Sequence, residues 1–94
     1  MNAREIYSEF WDMGLVGNQS EFSKEWLGRS PAYFRMMNWK NLDWSAGVRG
    51  NLWANIRRYQ QTIGWATSSE AREQVTRLNK IAESLSRELV TGGF

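Results

Sequence analysis

The side chains able to do chemistry in this sequence are mostly cations, and they are unevenly placed. Residues 1–23 carry Arg4 against Glu5, Glu9, Asp12 and Glu21, residues 24–69 carry seven basic residues and two acidic ones, and residues 70–94 carry four of each. The formal net charge is only +2. What distinguishes the chain is therefore the basic excess in its middle, formed by Lys24, Arg29, Arg35, Lys40, Arg49, Arg57 and Arg58. A cluster of this kind suits phosphate oxygens, and its bland alternative is an ordinary solvated surface. Catalytic chemistry has far less to work with. There is no histidine and no cysteine, which removes the commonest general base and metal ligand, any thiolate nucleophile and any disulfide framework. Glu5, Glu9, Asp12, Glu21, Glu25 and Asp43 are scattered, with no convincing nucleophile beside them, and Ser30 and Ser69 sit where helices should start. We expect a protein that binds rather than catalyses, without cofactor or metal.

Positioning the central cations falls to the stretch 18–40, NQSEFSKEWLGRSPAYFRMMNWK. Asn18 can accept from free N–H groups of a helix beginning near Gln19, and Glu21 can reach back in the manner of a capping box. Phe22 and Trp26 share a face that Leu27 widens, and Gly28 can take the positive φ at which a helix stops. Ser30 followed by Pro31 is a second start signal. The helix that follows should turn Phe34 and Met37 inward and spread Ala32, Arg35, Met36 and Trp39 over the remaining surface. Two helices joined by a short glycine turn make a helix-turn-helix in shape.

The run EFSKEWLGRSPAYF resembles the second and third helices of repressor-type helix-turn-helix DNA-binding domains. It is also similar to a group of small, functionally uncharacterised bacterial proteins that share a Phe-Ser pair ahead of Trp-Leu-Gly-Arg-Ser-Pro and a tyrosine. Compared with the repressor pattern the segment carries one extra residue, an offset of five from Phe22 to Leu27 where the pattern has four. The resemblance implies that Gly28 is the turn glycine and that Phe22, Leu27, Phe34 and Met37 are buried support. It implies a recognition helix opening at Ser30 and Pro31. Lys24, Arg29 and Lys40 would then meet phosphates, while Ala32, Tyr33 and Arg35, with Met36, would face the major groove.

The other elements are legible from periodicity. Residues 2–13 should form a helix with Ile6, Phe10 and Met13 inward, Tyr7 and Trp11 widening that face as core, and Gly14 ending it. Leu15 and Val16 should plug the following loop into the core. Asp43 or Ser45 can cap a helix over 46–63, in which Val48, Leu52, Ile56, Tyr59 and Ile63 form a stripe, and Trp44 should staple the preceding loop. Thr67 with Glu70 offers a capping box for a last helix reaching about Val90. That helix carries a heptad-spaced seam of Ala71, Val75, Leu78, Ala82, Leu85 and Leu89. The seam suits a partner helix, either in the same chain or in a second copy, where Val75, Leu78, Ala82, Leu85 and Leu89 would be the dimerisation surface. No stretch alternates with period two.

The expected fold is all-α: a compact bundle of about five helices containing a helix-turn-helix. Residues 1–66 would form its core and residues 67–94 an amphipathic C-terminal outrigger, within one domain overall. The N-terminus lacks the layout of a signal peptide and no apolar run could cross a membrane, so a cytoplasmic location is the simplest expectation. The functional expectation is a DNA-binding transcriptional regulator, with homodimerisation through the last helix as one option. The alternative is a helical module that binds another protein, supported by Trp39, Trp53 and Trp65 lying off the apolar stripes.

Overall fold

A computed structural model describes residues 1–40, 44–63 and 68–92, with side chains described as far as Glu88. Its first helix, α1 (Ala3–Asp12), opens on a complete capping box: the Asn2 side chain accepts from the Glu5 N–H at 2.9 Å and the Glu5 carboxylate accepts from the Asn2 N–H at 3.2 Å. Gly14, at φ +75°, ends it. The chain reverses there, and Val16 is drawn into the core while Leu15 packs half-buried at its edge.

Helix α2 (Gln19–Glu21) starts on Asn18, whose side chain accepts from the Glu21 N–H at 2.9 Å. Glu21 does not return to the Asn18 amide; its carboxylate accepts from the Gly17 N–H at 2.7 Å, one residue earlier. The helix then continues without a break as a π-helical turn, Phe22–Trp26. The Leu27 N–H donates to the Phe22 carbonyl at 3.1 Å, an i→i+5 bond. That widened turn accommodates the extra residue between Phe22 and Leu27, and it keeps Phe22, Ser23, Trp26 and Leu27 all buried. Helix α3 (Tyr33–Trp39) is short; α4 (Ala46–Ile63) and α5 (Ser69–Gly92) are the long members of the bundle. Ser45 caps α4, accepting from the Val48 N–H at 3.3 Å, and Ser68 caps α5, accepting from the Ala71 N–H at 3.1 Å. Asp43, Thr67 and Trp65, named above from the sequence, lie outside the described residues. Among the described residues there is no strand, and the fold is all-α with five helices.

The core is built around Phe22. Its ring meets Tyr7, Phe10 and Phe34 edge to face or nearly so, with centroids 5.5, 5.3 and 5.1 Å away, and Trp44 closes the side at 6.5 Å. Edge-to-face contacts place positive ring edges on negative faces, which stabilises such pairs beyond the area they bury. Below this cluster α4 contributes Val48, Leu52 and Ile56, and α5 contributes Leu78, Ile81, Ala82 and Leu85, all 0–1% exposed.

Two expectations fail here. The last helix is no outrigger: α4 and α5 pack along each other, and the α5 residues belong to the same apolar cluster as Ile6 and Phe10 of α1. Leu78, Ala82 and Leu85 are consumed by the chain's own core, and Val75 is half-buried beside them. A second copy could reach that seam only by displacing α4, so the dimerisation surface expected there is not on offer. The Leu89 side chain lies outside those described. The other failure is Trp11, which is 61% exposed rather than core. It lies on the flank of α1, about 100° round the helix from Phe10, outside the inward face that Ala3, Ile6 and Phe10 fill.

Polar side chains lock the long helices in register. Gln60 donates to the Asn79 side chain at 2.9 Å, the Tyr59 hydroxyl donates to Gln74 at 3.1 Å, and Gln74 donates to the Met13 carbonyl at 3.1 Å. Arg77 of α5 reaches Glu9 and, at 3.1 Å, Asp12 of α1. The hydrogen bond to Glu9, and then that to Asp12, hold its guanidinium even more firmly protonated than usual.

Candidate nucleic-acid interface

Helix α3 is held at both ends and along its buried side. At its start no residue of its own supplies a cap, since Ala32 occupies the cap position without a side-chain bond. The donor left open on Phe34 is instead met across the bundle by the Ser23 hydroxyl at 2.9 Å, in a buried bond. Ser23 is the one fully buried polar residue among those described. Being small, it also lets α3 approach the π-helical turn closely. Phe34 and Met37 then seat the helix in the core.

The connection before α3 is also anchored. Gly28 takes φ +68°, and the Arg29 N–H donates to the Ser23 carbonyl at 2.9 Å. This resembles a Schellman closure lengthened by one residue, as the π-helical turn requires. The carbonyls of Trp26 and Leu27, left open where that turn ends, accept from Asn55 at 2.9 Å and Asn51 at 3.3 Å, one turn apart on α4. At the far end of α3, Arg4 of α1 donates from Nε to the Asn38 side chain at 3.2 Å and from Nη2 to the Asn38 carbonyl at 3.1 Å. A cation at a helix C-terminus also complements the helix dipole.

The expected recognition helix is corrected at its start. Ser30 and Pro31 do not open it; they lie in a turn closed by the Tyr33 N–H donating to the Ser30 carbonyl at 3.0 Å, and the helix begins at Tyr33. Residues 27–32 thus form a longer connection than a repressor's tight turn. A helix opened at Ser30 would pair the Phe34 N–H with the Ser30 carbonyl; here that N–H donates to the Ser23 hydroxyl of the neighbouring helix and the Ser30 carbonyl accepts from the Tyr33 N–H instead.

The expected contact residues therefore divide. Arg35 and Met36 are exposed on the outer face of α3, Lys40 is exposed at its C-cap, and Lys24 is exposed on the π-helical turn. Ser30 is exposed and Ala32 half-exposed, both in the turn rather than on a helix face. Tyr33 packs half-buried against the core, with the Arg29 guanidinium 6.0 Å above its ring centre, so its ring face is already covered. Two residues join this surface that the expected contact set lacked. Trp39, one turn beyond Arg35, is 83% exposed, and its i, i+4 spacing from Arg35 was the available signal. Arg4 arrives from another helix, and no local pattern could have announced it.

Residues 26–42 contain Arg29, Arg35 and Lys40 and no acidic residue. None of Lys24, Arg29, Arg35 and Lys40 makes an ion pair with a described residue, whereas Arg77, Arg49 and Arg87 on the α5 side are paired with Glu9 and Asp12, Glu88, and Glu83. Elsewhere, a groove between the turn at Gly14 and the end of α4 is floored by Trp26 and Tyr59 with Glu25 and Arg58 at its rim. The two hydroxyls that line it are engaged, Tyr59 donating to Gln74 at 3.1 Å and Thr62 to the Arg58 carbonyl at 3.2 Å. Among the described residues no three carboxylates converge as a metal site, and no helix is long and apolar enough to cross a membrane.

Comparison with known proteins adds the family. No curated protein and no solved structure matches the chain. A family model described as a family of unknown function, DUF6626, matches residues 4–92. That match runs from the second residue of α1 to the end of α5, and the chain belongs to the DUF6626 family.

Proposed function

We propose that the protein is a small, non-catalytic DNA-binding regulator that sets the outer face of α3 and its flanking cations against the nucleic acid. The observation that carries this reading is the group Lys24, Arg29, Arg35 and Lys40: exposed, without carboxylate partners among the described residues, and presented from a helix braced at both ends and from the turn and connection that precede it. Long-range attraction to phosphate needs cations that are not already neutralised, and such contacts position a protein on DNA without reading its sequence. Lys24, Arg29 and Lys40 have that role, with the Ser30–Ala32 turn beside them. Arg35 and Met36 are the side chains free to meet base edges.

The test is fluorescence anisotropy on labelled genomic fragments across a salt titration. Lys40→Ala should weaken all fragments alike and lower the salt slope by about one. Arg35→Ala should cost about 1–3 kcal/mol and reduce the difference between fragments. Absence of binding at low salt ends this reading. A second reading, a surface for a partner protein, is favoured by Met36 and Trp39, 51% and 83% exposed side by side on α3. Under that reading complex formation with the partner is lost on Trp39→Ala and is nearly insensitive to Lys40→Ala.

A further inference from the structure

The centre of the α3 face is an aromatic side chain. Arg35, Met36 and Trp39 point outward, and Trp39, at 83%, is the most exposed of the large apolar side chains in the described structure. The contrast with Trp26 and Trp44, 8% and 3% exposed, shows that the fold can bury an indole where it has use for it there. Nor is Trp39 on a loose loop. It is the last residue of α3, and the residue before it is gripped by Arg4 through both its side chain and its carbonyl. The indole thus projects from a fixed base, with Arg35 one turn before it, Lys40 directly after it, and no acidic residue between 26 and 42.

An aromatic face between cations matches one chemistry closely: a nucleobase stacked on the ring, with the phosphates on either side met by the charges. In an intact duplex each base already stacks on its neighbours and shows only its edge, so an indole gains a stacking partner only where a base step is opened. Helix α3 is seven residues long, about 10 Å at the usual rise, and offers Arg35 alone for edge hydrogen bonds. Resting on the DNA-binding reading above, we infer that Trp39 is a base-stacking residue and that the preferred ligand is a single strand, with Lys40 on a flanking phosphate and Arg35 at the edge of a neighbouring base.

The experiment measures anisotropy with labelled oligo(dT), oligo(U) and a dA·dT duplex of about 15 nucleotides, using the full chain and its Trp39→Ala and Trp39→Phe variants. Far-UV circular dichroism melts of all three proteins check folding, which the exposure of Trp39 makes safe to alter. The expected result is tighter binding of a single strand than of duplex, a roughly 5- to 150-fold loss for the single strand in Trp39→Ala, retention of most affinity in Trp39→Phe, and an unchanged salt slope. Duplex bound as tightly as single strand, or a single-strand affinity unmoved by Trp39→Ala, overturns the inference and leaves the DNA reading standing. Binding of oligo(U) alone keeps the stacking role and overturns the assignment to DNA. No binding of any probe overturns both.

Discussion

Substituting Ser23 by alanine removes a single oxygen and should disturb more of this molecule than any other change of that size. The hydroxyl is fully buried and accepts from the Phe34 N–H at 2.9 Å, the donor near the start of α3 that has no intrahelical acceptor and no cap from its own segment. Without that oxygen the amide stays in the core unpaired, which costs about 1–3 kcal/mol. The better helix propensity of alanine returns about 0.5 kcal/mol. A net loss of about 1.5 kcal/mol corresponds to roughly 6–12 °C in Tm for a domain of this size. With a urea slope of about 1 kcal/mol per molar, the midpoint should fall by about 1.5 M at unchanged slope. Urea titration followed by tryptophan fluorescence and far-UV circular dichroism reads both quantities. Ser20→Ala is the control, since Ser20 lies on the same helical segment and makes no hydrogen bond to another described side chain or backbone group; it should stay within about 0.5 kcal/mol of the parent. A Ser23→Ala midpoint equal to that control would refute the reasoning, because it would mean that the Phe34 amide is satisfied without Ser23. Since this bond also sets how α3 sits on the π-helical turn, the DNA-binding reading proposed above requires the same variant to weaken that binding before it unfolds the protein.

Other substitutions separate the remaining contributions. Gly28→Ala should destabilise by about 1–2 kcal/mol because φ is +68° there and the new methyl would meet Asn51 at 3.4 Å, whereas Gly50→Ala, inside α4 with nothing near the added methyl, should stabilise by about 0.5–1 kcal/mol; chemical unfolding that gave both the same sign would contradict the backbone assignment. Leu78→Ala should lower stability by about 2–5 kcal/mol with no change in solution mass; a light-scattering mass that halves while the Tm holds would return the seam to a dimer. For the α1–α5 tie, a double-mutant cycle on Arg77→Ala and Glu9→Ala should show a coupling of about 0.5–1 kcal/mol that shrinks in high salt, both groups being partly solvated; a coupling that salt leaves untouched would point to packing instead.

Much of the helical layout could be read along the chain because its signals are local. The stripe of Val48, Leu52 and Ile56 depends on helical period alone, and it forms the buried face of α4 over the expected range. Gly14 and Gly28 end their helices through their own freedom at positive φ. Asn18 and Ser45 cap helices with oxygens that lie within a turn of the donors they serve. Where the outcome depended on a distant segment, local reading went astray. Ser30 and Pro31 have the form of a helix start, yet the Phe34 N–H goes to Ser23 of the neighbouring helix rather than to the Ser30 carbonyl, and the helix begins at Tyr33. The heptad seam of α5 suited a partner helix in the same chain or in a second copy, and only the packing shows that the facing helix is α4 of the same chain.

The candidate site shows the same division. That the middle of the chain is basic and that histidine and cysteine are absent follows from composition and order alone, which folding cannot change. Which cations stay unneutralised was decided in three dimensions, where the carboxylates of α1 and α5 pair with Arg77, Arg49 and Arg87 and leave Arg35 and Lys40 alone. The same holds for the aromatic residues: six tryptophans are a property of the sequence. Trp39 in water and Trp44 in the core is a property of the packing, because a ring is buried only where other elements arrive to cover it.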